Sequence, residues 1–391
     1  MIKVLYLTCE SLETDPIITS QVLKLINALN SKYSIQLVTV EDKKFINQNS
    51  HLKSHTFIQR KNPVLSIFKL TIWFFFNFNK YDIIHVRSYL PMFAVILPKL
   101  FFSKPVIFDM RGLMPYEFRL RAKTHSKFHK KIYYNFAFLL FYIFEYIFIQ
   151  ISTAIVVVSN PFSKYVKGKL LFKTPVFEIP TFTSFKNDVQ AQKNTSFYPL
   201  FPELDATIFI YSGSLDIWQQ FSNTIILFQA ILEKIPDSKL LVLTRQIELA
   251  NKLLSTKLPK NSYRVLSVLP NQVADILTLG DFGILLREPD PVNTVSAPIK
   301  FAEYLSAGLR IIISNGIGDA SAQVSNNGLG FVIHGLDKQS FSTFVSTHIV
   351  ELKIKSSLCF PEQAKSLLSS KYSLEQAALN YGYLYKQLIL E

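Results

Sequence analysis

Four polar side chains recur at short intervals in the stretch REPDPVNTVSAPIKFAEYLSAG: Arg287, Ser296, Lys300 and Glu303. Two cations and a hydroxyl suit phosphate oxygens, and a carboxylate, which only accepts hydrogen bonds, suits a pair of vicinal hydroxyls. The spacing predicts a helix beginning near Ser296 with Pro298 in its first turn, which sets Lys300 and Glu303 side by side on one face. Free backbone amides at such a helix start add anion-binding groups. Phosphate followed by ribose is what a nucleoside diphosphate presents. The plain alternative is a surface helix carrying a weak Lys/Glu pair. Gly308 suits the C-terminal cap, and RIIIS reads as the next strand.

A second set of groups ends the strand in PVIFDMRGLMPYE, where Asp109, Arg111 and Gly112 are followed one turn later by Glu117. Arg111 is a permanent cation, able to stabilise an oxyanion or phosphate and unable to act as a base. Asp109 could orient it or take an acceptor's proton; a buried Asp-Arg pair with a purely structural role is the alternative. In DIIHVRSY, Arg87 sits at a strand end, while His85, inside the strand pattern, reads as a hydrogen-bonded core histidine. Ser20 and Gln21 open the helix after the first loop, CESLETDPIITSQV. No HxxxH, HExxH, CxxC or Asp-x-Asp pattern falls at a strand end, so neither a metal nor a resident cofactor is expected. Neither first strand is followed by G-x-G-x-x-G, which argues against a dinucleotide-dependent dehydrogenase.

The elements that must position these groups alternate regularly. In the first half IKVLYLT, SIQLVTV, DIIHV, PVIFDM, TAIVVVS and PVFEIP read as strands, separated by helical stretches such as ITSQVLKLINALN, LSIFKLTIWFFFNF and LPMFAVILPKLFF. Residues 181–202 lose the pattern and are expected to be a linker. A second series follows: ATIFIYSGS, SKLLVLT, YRVLSVL, DFGILL and LRIIIS as strands, with helices between and a glycine-rich loop after the last. SLEQAALNYGYLYKQLILE reads as a terminal helix. The 391 residues are too many for one ordinary core. The expectation is an α/β protein of two doubly wound domains, 1–180 and 203–375, with a helix at 376–391 packing back on the first. Ligands of such sheets bind beyond the carboxyl ends of the strands.

Only Cys9 and Cys359 occur, which excludes a disulfide framework. MIKVLYLTCE lacks the features of a signal peptide, so a cytoplasmic location is expected. The net charge of +14 is uneven: residues 1–180 hold 24 Lys/Arg against 10 Asp/Glu, and the remainder 18 against 18. That asymmetry calls for an anionic partner of the first half. Aromatic residues crowd into apolar runs instead of interleaving with basic ones, so the partner expected is an anionic membrane surface and not nucleic acid. Within residues 119–150, RLRAKTHSKFHKK supplies six Lys/Arg and no acid, and IYYNFAFLLFYIFEYIFI follows at once. This is the signature of peripheral attachment at the inner face of the cell membrane. A buried helix covering the sheet is the alternative, and Asn135 and Glu145 argue against a span.

VSAPIKFAEYLSAGLRIII, preceded in order by SQVLKLINAL, DIIHVRSY, PVIFDMRG, AIVVVS and YSGSL, resembles the GT-B glycosyltransferases, particularly the retaining family 4 type. The resemblance runs over nearly the whole chain and implies two Rossmann-like domains facing across a cleft, with Glu303 on the ribose of a sugar nucleotide. Relatives often carry a second glutamate eight positions earlier; Val295 stands there, leaving backbone amides near Val295 and Ser296 for the phosphate. The relatives' Gly-Arg pair and later lysine are replaced by Gly213-Ser214 and Trp218. Arg287 and Arg245, each following an apolar strand, are then the expected grips on the diphosphate, an ordinary surface salt bridge being the alternative for either. Arg111-Gly112 stand where relatives have His-Gly facing the transferred sugar, which marks Asp109 and Arg111 as expected catalytic residues. The first loop lacks the relatives' paired glycines and is expected to turn toward the acceptor with Ser20 and Gln21, and Arg87 at its strand end and Glu117 are expected on the same acceptor side.

The resemblance thus implies transfer of a sugar from a nucleotide-diphosphate donor to a glycan or lipid-linked acceptor in bacterial surface polysaccharide synthesis, with retention. A GT-B-shaped sugar-nucleotide epimerase and a non-catalytic, membrane-associated homologue are the alternatives.

Overall fold

The computed structural model describes residues 1–13, 15, 18–49, 55–60, 62–183, 201, 206–354 and 362–390. The chain forms two compact units, Met1–Pro180 with Leu374–Glu391, and Thr181–Ser373. Most of the expected linker at 181–202 lies outside the described residues.

The first unit is built on a parallel sheet of seven strands: β1 (Ile2–Leu7), β2 (Tyr33–Glu41), β3 (His55–Gln59), β4 (Ile83–Arg87), β5 (Val106–Asp109), β6 (Ala154–Val157) and β7 (Val176–Glu178). Their order is β3-β2-β1-β4-β5-β6-β7. Continuous apolar runs such as IIHV and VIF are buried on both faces, as a parallel sheet under helices requires. The chain moves outward from β1 to β3, then returns to β4 on the other side of β1, so a topological switch lies between β1 and β4. There the register sets Tyr6 beside His85, and the next pair sets Arg87 beside Asp109. The terminal helix Leu374–Leu390 belongs to this unit: the Tyr33 hydroxyl donates to the Gly382 carbonyl at 2.8 Å.

The second unit repeats the plan with β8 (Ile208–Ser212), β9 (Lys239–Leu243), β10 (Tyr263–Leu266), β11 (Phe282–Leu285), β12 (Arg310–Ser314) and β13 (Gly330–Ile333), in the order β10-β9-β8-β11-β12-β13. Its switch point lies between β8 and β11. Tyr304 fixes this junction: its hydroxyl accepts the Ser212 N–H at 2.9 Å, and its ring lies so close to β11 that a Cβ on Gly283 would sit 2.4 Å from it. The helix Ile299–Ser306 ends as expected at Gly308, whose φ of 79° is left-handed. The Leu309 N–H returns to the Tyr304 carbonyl and that of Gly308 to Leu305, the double closure of a Schellman motif.

The doubly wound α/β expectation is met by both sheets. Two strands and two helix starts differ from the expected pattern. The sequence GFVI, beyond the glycine-rich loop, is strand β13, and HTFIQ is β3. The helix expected from Ser296 begins at Ile299, with Pro298 extended at its N-cap. Proline disfavours the helical region for Ala297 before it, so the helix does not extend back to Ser296. The helix near Ser20 opens as a π-helical turn, Ile18–Leu23, before becoming α-helical at Lys24–Leu29.

Candidate functional site

In the second unit the groups converge beyond the carboxyl end of β11. Arg287 leaves that strand two residues past its last ladder position and is fastened by Ser314 at the end of β12: the Ser314 hydroxyl accepts the Arg287 N–H at 2.8 Å and donates to its carbonyl at 2.7 Å. Asp290 then caps a short turn, Pro291–Thr294, accepting from the N–H groups of Val292 and Asn293 at 2.7 and 3.1 Å. The turn brings Asn293 and Ser296 back to Arg287. Its Nη1 donates to Asn293 Oδ1 at 3.4 Å and to Ser296 Oγ at 3.3 Å, both neutral acceptors at long range. Its Nε is buried and has no partner among the described residues. Burial pushes the guanidinium down to about 10, with Tyr211 and Asp290 opposing that shift. A cation so enclosed and so weakly engaged is arranged to receive an anion.

Lys300 and Glu303 stand next along the helix, Nζ to Oε2 at 2.7 Å, each side chain about one-fifth exposed at 23% and 22%. Ser296 Oγ also donates to the Asn293 carbonyl at 2.8 Å, so it faces the arginine and not the helix amides. Val295 is buried. The other expected donor-side residues are scattered. Gly213 continues the ladder, its N–H on the Leu243 carbonyl at 3.0 Å, and is therefore not a free amide. Ser214 donates to Asp216 at 2.6 Å, while its carbonyl accepts from the Tyr211 hydroxyl. Arg245 is exposed just past β9.

In the first unit the ends of β4 and β5 carry a buried polar network, in which Asp109 Oδ1 and Arg111 Nε have no partner among the described residues. Asp109 is wholly buried, and its Oδ2 accepts from Arg111 at 2.8 Å and from the Tyr381 hydroxyl at 3.1 Å, with His85 Nε2 at 3.1 Å. Arg111 also meets the Tyr381 hydroxyl, and His85 Nδ1 lies 2.7 Å from that of Tyr385. Burial alone would raise the Asp109 pKa, but the Arg111 charge and the His85 bond outweigh it and hold the carboxyl far below its ordinary range. A carboxylate with so little proton affinity is a weak general base. Of the two roles open to it, orienting Arg111 is the one the geometry provides. His85 is buried among hydrogen-bonding partners, as its place in the strand suggests, and burial holds it below its ordinary value.

Arg87 is buried and paired with Glu10 at 2.9 Å, which ties β4 to the first loop. That loop is held further by Glu41, whose buried carboxylate accepts from Ser11 Oγ at 2.5 Å and from the Leu12 N–H at 2.7 Å. Gln21 is buried and Ser20 half-buried. Glu117 lies in the helix Met114–Thr124, and burial raises its pKa. Asn293, Ser314, Tyr304 and Tyr381 were absent from the sequence reading. For Asn293 the DPVN stretch was a readable capping signal, but Ser314 lies 27 residues from its partner and Tyr381 lies 272 from Asp109. Among the described residues no group of three or more His, Cys, Asp or Glu side chains is placed to hold a metal ion.

No protein-family model matches the sequence, and no curated protein matches it. In three dimensions the chain is similar to sucrose-phosphate synthase from Thermosynechococcus elongatus, at a TM-score of 0.73 and 14% identity over 100% of both chains. It is also similar to HepE of Anabaena in complex with UDP and glucose, at 0.69 and 11%, covering 99% of this chain and 100% of that one. A putative UDP-N-acetylglucosamine 2-epimerase from Listeria monocytogenes follows at 0.55 and 10%, covering 99% and 96%. These likenesses establish the fold: the chain has the GT-B architecture of two doubly wound Rossmann-like units.

Proposed function

We propose that the chain is a glycosyltransferase that takes a sugar from a nucleoside-diphosphate donor, with retention, and delivers it to a glycan or lipid-linked acceptor of a bacterial surface polysaccharide. The carrying observation is Arg287, an enclosed guanidinium whose Nε has no partner among the described residues, set beside Ser296, four residues before Lys300 of the Lys300–Glu303 pair. On this reading Arg287 and Lys300 take the diphosphate, Ser296 donates to a phosphate oxygen once its hydroxyl turns from the Asn293 carbonyl, and Glu303 takes the ribose hydroxyls. The reaction breaks the bond between the anomeric carbon and the diphosphate oxygen and forms one to an acceptor oxygen, whose proton passes to the departing diphosphate or to solvent. Negative charge grows on that diphosphate, and fixed cations stabilise it without reorganising. In the first unit, Arg111 oriented by Asp109 is assigned to the acceptor side with Arg87, Glu117, Ser20 and Gln21.

HepE has been seen with UDP-glucose, so uridine diphosphate sugars are the donors to try first. Titration calorimetry with UDP, UMP and uridine tests the site directly. Affinity should climb with each phosphate, and Arg287→Ala should erase the climb while leaving uridine unaffected. If no nucleoside diphosphate of any base binds, the reading fails and a non-catalytic role replaces it.

A further inference from the structure

Three neighbouring helices of the first unit present apolar side chains to the outside. On Pro63–Asn77 the residues Val64, Phe68, Ile72 and Phe76 recur every fourth position and form one exposed stripe, Val64 at 79% and Phe76 at 77% exposure. The opposite stripe of the same helix, Leu70, Phe74 and the following Phe78, is buried. This helix is therefore apolar on both sides, and only one side has a partner among the described residues. Met92–Phe101 packs beside it, Phe75 meeting Phe101 at 5.8 Å between ring centroids, and exposes Leu100. Phe128–Ile151 comes next, Phe93 meeting Phe141 at 5.7 Å, and exposes Phe136, Leu139 and Ile143 along its length. Single exposed apolar residues are ordinary, but three adjoining helices that each expose several form an interaction surface.

Charge decides what covers it. The three helices carry one acid, Glu145, and it is buried, taken by the Tyr89 hydroxyl, the Tyr165 hydroxyl at 2.6 Å and Lys169 at 2.7 Å. Lys127 and Lys130 are exposed at the start of Phe128–Ile151, with Arg121 and Lys123 exposed on the helix before it. A second copy meeting this face through a two-fold axis would oppose basic rims with no acids to answer them. Phe128–Ile151 is long and apolar enough to cross a bilayer. A span is opposed nonetheless, because β5 before it and β6 after it are neighbours in one sheet, and Phe148 near its end meets Phe108 of β5 at 5.8 Å between ring centroids.

We propose that the outer faces of Pro63–Asn77, Met92–Phe101 and Phe128–Ile151 form one surface that seats the first unit in an anionic bilayer, apolar side chains in the headgroup boundary and the basic cluster on the lipid charge. This stands apart from the donor reading, because lipid binding needs no nucleotide. Flotation of the full chain with phosphatidylcholine vesicles, with and without about one third phosphatidylglycerol, tests it. Binding should require the anionic lipid and weaken as salt shortens the Debye length. Lys127→Gln with Lys130→Gln should cost roughly five-fold in partitioning per lysine. Phe68→Ser with Phe76→Ser, both exposed and expected to leave the thermal midpoint in place, should cost on the order of ten-fold per ring. Equal binding to neutral vesicles, or indifference to the Phe68 and Phe76 changes, overturns the surface. Resistance to carbonate extraction overturns it in favour of a span. A dimer in sedimentation that those same changes dissolve, with no vesicle binding, overturns it in favour of a second copy.

Discussion

Arg287→Met should make the unliganded protein more stable and a poorer binder of UDP at the same time. The native side chain has two long hydrogen bonds to neutral oxygens, at 3.3 and 3.4 Å, and a buried Nε with none. Losing two such bonds costs about 0.5 kcal/mol each. Against this, burial pushes the guanidinium down to about 10, and replacing such a poorly paired buried charge by an apolar side chain of similar reach is worth about 2 kcal/mol. The balance is a gain of roughly 1 kcal/mol, or about 2–4 °C in the midpoint of a domain this size. Affinity for UDP moves the other way, since one charge-assisted contact is worth about 1.5–3 kcal/mol, or roughly ten- to a hundred-fold in Kd. Differential scanning calorimetry gives the first quantity and titration calorimetry the second, with uridine as the control that should not change. A methionine variant that melts earlier and binds UDP as before would refute the reasoning, because Arg287 would then be holding the fold.

Glu303→Ala should weaken uridine and UDP alike by on the order of 1.5–3 kcal/mol, and Glu303→Gln by less, because an amide still accepts one hydroxyl bond; unchanged calorimetric affinity in both would remove Glu303 from the site. Gly283→Ala puts a Cβ 2.4 Å from the Tyr304 ring and should cost about 1–3 kcal/mol in urea unfolding, with Tyr304→Leu restoring part of it in the double variant. No loss in Gly283→Ala would mean that the junction yields freely. Arg111→Ala should lower turnover more than donor affinity, and normal turnover would confine Arg111 to bracing the fold. For acid stability, His85 and Asp109 both have folded pKa values below their unfolded ones. Each therefore contributes fully above its unfolded value, about 6.5 for histidine and 3.9 for aspartate, and loses its contribution as pH falls from there toward its folded value. The first unit should thus weaken in two steps, and Asp109→Asn should abolish the lower one in a pH series of unfolding midpoints; an unaltered series would exclude Asp109.

The alternation of β-branched runs with helical stretches was readable because each parallel strand is buried on both faces and leaves a plain apolar signature. β13 escaped because it opens on Gly330, with a φ of 150° and the Ile311 carbonyl where a Cβ would stand, so a strand here is written in glycine. β3 escaped because HTFIQ is an edge strand with only Ile58 fully buried. Lys300 and Glu303 were legible as neighbours through helical spacing alone. The setting of Arg287 was not, since Ser314 comes from the adjacent strand and no local pattern announces such a pairing. Asp109 and Arg111 were legible as a pair, but the tyrosines that close around them come from the far end of the chain.

Those tyrosines bear on how the protein is made. Tyr381 and Tyr385 complete the network of His85, Asp109 and Arg111, so the sheet that is synthesised first lacks two of its hydrogen-bond partners until the last helix has left the ribosome. Thr181–Ser373 has all of its residues earlier and can fold while that helix is still being made. Synthesis order and completion order are thus reversed: the unit that begins to emerge first is completed only after Thr181–Ser373 has been made.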